Sequence, residues 1–153
     1  MKTPRVAAMD YLARREHTRL ELQRKLTIKG YEPDEIDNAL DKLIAEGLLS
    51  DRRFAETFVE YRIRNGRGPL KIKHELKQHG VSEALIAEVM RSIEVDWDIL
   101  AQQVWHKKFG RPPSDLRERA HQRRFMEQRG FESYRVDYDG VSAEDECGVA
   151  TDS

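Results

Sequence analysis

The sequence predicts an all-α protein: tandem three-helix repeats, three units with the last truncated, forming an elongated curved body. Three observations lead there. A short block occurs three times, as Gln23–Tyr31, Lys73–Val81 and Arg123–Phe131, with its glycine at 30, 80 and 130. A constant interval of 50 residues marks stacked supersecondary units, which contact mainly their neighbours. Each copy also carries Leu or Met four residues before the glycine and an apolar residue after it, giving the pairs Leu26 and Tyr31, Leu76 and Val81, Met126 and Phe131. That is the pattern of a helix closed by a left-handed glycine, whose following residue folds back on the last turn. Finally, charged residues make up 36% of the chain and aromatics 8%, a mix that suits long solvated helices, and no segment alternates with period two.

The elements follow in order. A first helix is expected from Pro4 to Glu16, with Val6, Met9, Leu12 and Ala13 as its apolar stripe and Tyr11 on a flank. Thr18 and Glu21 have the spacing of a capping box and open a second helix, where Leu22 and Leu26 face inward and Gly30 ends it. Pro33, followed by Asp34 and Glu35, starts a third whose Ile36, Ala39, Leu40 and Leu43 make one face, closed by Gly47. Ser50 caps a fourth carrying Phe54, Phe58 and Tyr61 with Ala55 and Val59 beside them. Gly66-Arg67-Gly68-Pro69 breaks that helix and restarts the next, which bears Ile72 and Leu76. Ser82 caps a sixth with Leu85, Ile86, Val89, Met90 and Ile93, where Ile36, Leu40 and Leu43 recur as Ile86, Met90 and Ile93. A seventh starts near Asp96 with Trp97, Leu100, Ala101, Val104 and Trp105. Ser114 caps the eighth, Asp115 to Arg129, with Leu116, Ala120, Phe125 and Met126. After Gly130 only a stub is expected. The boundaries drawn are 1–49, 50–94 and 95–136 for the repeats, and 137–153 for an acidic disordered tail.

Composition narrows the function. One cysteine, Cys147, rules out a disulfide framework within the chain and fits a reducing compartment; with no apolar run of transmembrane length and no signal pattern, a cytoplasmic protein is expected. The five histidines (His17, His74, His79, His106, His121) do not fall at metal-ligand spacings and are each expected to be solvated. Nothing has the pattern of a phosphate loop, a nucleophile elbow or a carboxylate cluster, so neither catalysis nor a cofactor or metal is expected.

Charge points to a macromolecular partner. From Asp137 onward there are six acids and no Lys or Arg, so residues 1–136 hold 27 bases against 22 acids. Residues 51–80 carry eight Lys or Arg against four acids and residues 97–136 nine against five, while the helix at 33–46 carries five acids against Lys42 alone. A helix-turn-helix reader of DNA sequence would push that acidic second helix into the phosphates, which argues against it. Non-specific contact with DNA through the basic helices is the weaker, salt-dependent alternative, and a helical adaptor for another protein is a third reading.

The residues Asp51-Arg52-Arg53-Phe54-Ala55, Phe58-Val59, Gly68-Pro69 and Glu75–Val81 closely resemble the central signature of the RecX family, regulators of the RecA recombinase. Asp96-Trp97, Lys107-Lys108-Phe109-Gly110 and Arg123–Phe131 are similar to that family's C-terminal signature, so the likeness spans about residues 6–135. The resemblance implies a helical repeat protein that binds the RecA filament and lowers its ATPase, strand-exchange and co-protease activities, in recombinational repair and the SOS response, with no catalysis of its own. Joined to the charge map, it singles out Arg24, Lys25, Lys29, Lys71, Lys73, Lys77, Arg119, Arg123, Arg124 and Arg129 as partner contacts on a monomer.

Overall fold

The computed structural model describes residues 1–140. Helices α1 (Pro4–Arg14), α2 (Arg19–Ile28), α3 (Pro33–Ala45), α4 (Asp51–Arg64), α5 (Pro69–Gln78), α6 (Glu83–Ser92), α7 (Trp97–Lys108) and α8 (Leu116–Gln128) are followed by a 3-10 turn, Ser133–Arg135. No strand occurs among the described residues. The order is three helices, three helices, then two helices and a turn, which is the tandem arrangement with a truncated last member. Packing groups the chain into two compact units: Met1–Val59 with Glu75–Ser92, and Glu60–His74 with the chain from Ile93 onward. Helices α4 and α5 each contribute one end to either unit.

In the first unit α1, α2 and α3 pack together around Leu22, Leu26, Ile36, Leu40, Leu43 and Leu49, all at most 1% exposed. Each such leucine or isoleucine contributes about 1.5–3 kcal/mol by leaving water. The α1 stripe differs from the expected one. Ala7 and Ala8 are buried, with Tyr11 and Leu12 packed beside them, whereas Val6 and Met9 lie substantially exposed. Leu12 packs as expected, but Val6 and Met9, chosen for their bulk, point away from the core that the smaller Ala7 and Ala8 face. Thr18 caps α2 as expected, its Oγ accepting from Glu21 N at 3.1 Å, but the Glu21 carboxylate turns instead to Arg15 and His79, so the box is only half formed.

The second unit closes around Ala101, Trp105, Met126, Phe131, Val136 and Tyr138. Two buried glutamines hold it. Gln122 Oε1 accepts from Trp105 Nε1 at 2.9 Å, and the Gln102 amide pairs with both backbone groups of Asp137, accepting from its N–H at 2.7 Å and donating to its carbonyl at 2.9 Å. Packed chain therefore continues through Tyr138, beyond the expected tail start at 137. The rest of that tail, residues 141–153 with Cys147, lies outside the described residues. The α8 cap is Asp115 rather than Ser114, its Oδ1 accepting from Glu118 N at 2.8 Å, while Ser114 hydrogen-bonds the Glu118 carboxylate; Leu116, expected on the apolar face, is 84% exposed.

The repeated block does close its helices as read. Gly30, Gly80 and Gly130 have φ of 94°, 92° and 97°. Tyr31, Val81 and Phe131 each donate their N–H to Leu26, Leu76 and Met126 at 3.3, 3.0 and 3.0 Å, the long bond of a Schellman motif. The same block has a second use that the sequence did not reveal. In the first unit the start of α2 meets the end of α5: the Thr18 hydroxyl donates to the His79 carbonyl at 2.5 Å and Leu20 covers Gly80. In the second unit the start of α5 meets the end of α8: Gly68 and Leu70 donate their N–H groups to the carbonyls of Arg129 and Gly130 at 2.7 and 3.0 Å. Thr18 and His79 become Gly68 and Arg129 on adding 50, so one junction is built twice in the repeat register. In the second unit the N–H groups that open α5 thereby meet carbonyls that α8 leaves unpaired, whereas in the first the bond comes from the Thr18 hydroxyl and the Arg19 N–H goes to Asp51. Gly68 is thus more than a helix breaker, because any side chain there would collide with the Gly130 backbone.

Candidate functional site

A surface built from cations can bind a partner only with those its own acids leave free. The ion pairs sort them. Arg5 is taken by Glu46, Arg15 by Glu21, Arg19 by Asp37 and Asp41, Arg52 by Glu88, Arg53 by Glu16, and Arg135 by Glu132 and Asp98. Arg19 thus neutralises part of the acidic surface of α3, and Arg5 the C-cap residue Glu46 just beyond it. Of the ten residues singled out from the sequence, only Lys77 is ion-paired among the described residues, to Glu83 at 2.8 Å, which holds its ammonium above the ordinary lysine value.

In the first unit Arg24, Lys25 and Lys29 lie on α2. Arg24 is exposed. Lys25 and Lys29 place their ammonium groups 4.6 and 5.2 Å from the centre of the Tyr11 ring, whose negative face attracts both. Lys25 Nζ also lies 3.0 Å from Nε2 of His17, and His17 Nδ1 lies 3.1 Å from the Arg15 carbonyl oxygen. His17 is 2% exposed, not solvated as the sequence suggested, and burial, with Arg15 and Lys25 nearby, holds its pKa below the ordinary histidine value. His79 is not freely solvated either. It packs against Phe54 and Phe58, with Nδ1 3.0 Å from Glu21 Oε1.

The second unit holds Lys71, Lys73, Arg119, Arg123, Arg124 and Arg129, whereas Lys77 falls in the first. Lys71 donates to the Gln128 carbonyl at 3.2 Å, so Lys71 and Arg129 flank the α5–α8 junction. Lys73, Arg123 and Arg124 are exposed. The Arg119 guanidinium lies 5.9 Å from the Tyr138 ring and that of Arg129 lies 4.9 Å from Phe125. Burial, with the Arg67 charge nearby, lowers the Arg129 pKa from its ordinary value. The ten selected contacts leave out Lys107 and Lys108, counted among the bases of 97–136, which stand in the last turn of α7, with Lys108 5.3 Å from the same Phe125 ring. Their adjacency was visible in the sequence; their place beside Arg129 was not. Among the described residues no three His, Cys, Asp or Glu side chains converge as metal ligands, and no helix is long and apolar enough to cross a membrane.

The geometry is accompanied by clear likenesses. Residues 5–43 match the first three-helix domain of RecX, and residues 50–90 the second. The chain is 50% identical over 128 residues to "Regulatory protein RecX" of Pseudomonas savastanoi pv. phaseolicola, covering 83% of each chain. It is 49% identical, with the same coverage, to the protein of that name from Pseudomonas syringae pv. tomato. Its fold is similar to that of the crystal structure of RecX from Lactobacillus salivarius, with a TM-score of 0.72 at 21% identity over 94% of this chain and 95% of the other.

Proposed function

This chain belongs to the RecX family of regulatory proteins, and from that premise we propose that it binds the RecA recombinase filament and inhibits its ATPase, strand-exchange and co-protease activities. Inhibition of this kind tunes recombinational DNA repair and the SOS response. The observation that supports a protein-binding role most is that nine of the ten selected cations make no ion pair among the described residues, although Lys29 and Lys73 still feel the charges of Asp10 and Glu132. The body of the chain, residues 1–136, carries a net charge of +5. A monomer seated along the filament groove and touching adjacent recombinase subunits would hinder the movements coupled to ATP hydrolysis. The repeat boundaries 1–49, 50–94 and 95–136 would then give successive units separate contacts, and a cytoplasmic location follows from such a partner.

Pelleting of preassembled RecA filaments on single-stranded DNA tests this reading. The chain should sediment with the filaments and stay in solution with the bare oligonucleotide at the same salt. Equal retention by bare DNA would favour the non-specific DNA-binding alternative, and no sedimentation in either case would remove both.

A further inference from the structure

We infer that the cleft between the end of α4, α7 and α8 docks an acidic peptide segment carrying a leucine-sized apolar side chain. The inference deepens the reading above by naming the chemistry that a protein partner would present, and it is confined to the second unit. The cleft has a volume of about 530 Å³. Its floor is aliphatic, from Ile63, Leu100 and Val104, and its rim carries Arg64, Lys107, Lys108 and Arg129 with no carboxylate in the lining. None of the four rim cations makes an ion pair among the described residues. Arg129 and Arg67 both reach the Asn65 carbonyl, at 3.5 and 3.4 Å, so two guanidinium groups crowd one neutral acceptor where a carboxylate would be expected to balance them.

The same details favour a peptide over a nucleic acid. Grooves for single strands stack bases on aromatic faces. The aromatic ring in this lining, Phe125, is already engaged by Arg129 and Lys108 and meets the edge of Phe109, with ring centres 5.3 Å apart. What the floor offers instead is branched aliphatic surface, which gains most from covering an aliphatic side chain. Dehydrating the floor in that way also strengthens the attraction between the cationic rim and flanking carboxylates.

The test uses the full chain and a fluorescent, end-blocked peptide of aspartates and glutamates around a central leucine, followed by anisotropy and by amide shifts in NMR. A second peptide replaces the leucine with serine, and a dT oligonucleotide serves as the nucleic-acid competitor. The leucine peptide should shift the amides around Val104 and bind at least about tenfold more tightly than the serine peptide, the worth of one buried leucine. Lys107→Glu with Lys108→Glu, both exposed, should weaken it by a similar factor without loss of helicity. Equal affinity for the two peptides, or binding unmoved by the charge reversal, overturns the proposal. So does an oligonucleotide that shifts the same amides and displaces the peptide at lower concentration. Pelleting with RecA filaments in parallel separates the two ideas. Pelleting without peptide binding removes the cleft alone, and peptide binding without pelleting removes the filament reading alone.

Discussion

Replacing Gly30, Gly80 and Gly130 one at a time with alanine separates the two uses of the repeated block. All three have φ near 94°, so each alanine meets the left-handed penalty of about 1–2 kcal/mol. A stiffer unfolded chain offsets about 0.4–1 kcal/mol of that. At Gly30 nothing stands within 4 Å of the new methyl, so the net loss should be about 1 kcal/mol. At Gly80 the methyl would sit 2.5 Å from Leu20 Cβ, and at Gly130 it would sit 2.5 Å from Lys71 Cβ and 2.6 Å from Lys71 N. Overpacking adds about 1–3 kcal/mol, toward the upper end at Gly130 because a backbone nitrogen cannot swing aside. For a chain of this size 1 kcal/mol moves Tm by about 2–4 °C, so Gly30→Ala should lose a few degrees and the other two clearly more. Thermal unfolding followed by far-ultraviolet circular dichroism gives the ordering. Tryptophan fluorescence adds a local probe, since Trp97 and Trp105 both belong to the second unit, which also holds Gly130. Three equal losses would refute the repeated junction and leave only three ordinary helix ends.

Three further outcomes follow from the same structure. Gly68→Ala should be among the most damaging single changes in the second unit, because its methyl has no route past the Gly130 backbone; a Tm like that of Gly30→Ala would contradict this. Gln122→Ala leaves the Trp105 N–H buried without its acceptor and should cost about 1–3 kcal/mol in urea unfolding, with a changed tryptophan emission. The His17 pKa is held down in the folded protein, so as pH falls the unfolded chain takes up that proton first. Stability should therefore drop as pH falls through the ordinary histidine value, about 6.5, and level off below the folded value. His17→Gln should lose less Tm between neutral and mildly acid pH than the unaltered chain; an identical slope would assign the effect to other groups.

Much of the fold could be read from the sequence because helix ends are local chemistry. Thr18, Pro33, Ser50, Pro69 and the block glycines act within one turn of where they stand, and each lies where expected. The α1 face was partly misread because alanine carries little hydrophobic weight in a pattern, although Ala7 and Ala8 face the core. The buried roles of His17, Gln102 and Gln122 depend on partners 8 to 35 residues away and leave no periodic trace. The candidate surface was half legible. Counting charges found the basic helices, but which cations stay free is decided by long-range pairs such as Arg53–Glu16 and Arg52–Glu88. Lys77 shows the limit from the other side: selected with Lys71 and Lys73 by proximity along α5, it is paired to Glu83 and belongs to the first unit.

Free cations on this helical repeat are proposed to engage a recombinase filament and slow it. ATP turnover by RecA on single-stranded DNA, measured with the unaltered chain and with a variant carrying Lys73→Glu, Arg123→Glu and Arg124→Glu, tests that most directly. The unaltered chain should depress turnover at or below one copy per recombinase subunit, and the variant, equally helical, should need several-fold more. Turnover unchanged by the unaltered chain, or depressed equally by both, would contradict the account.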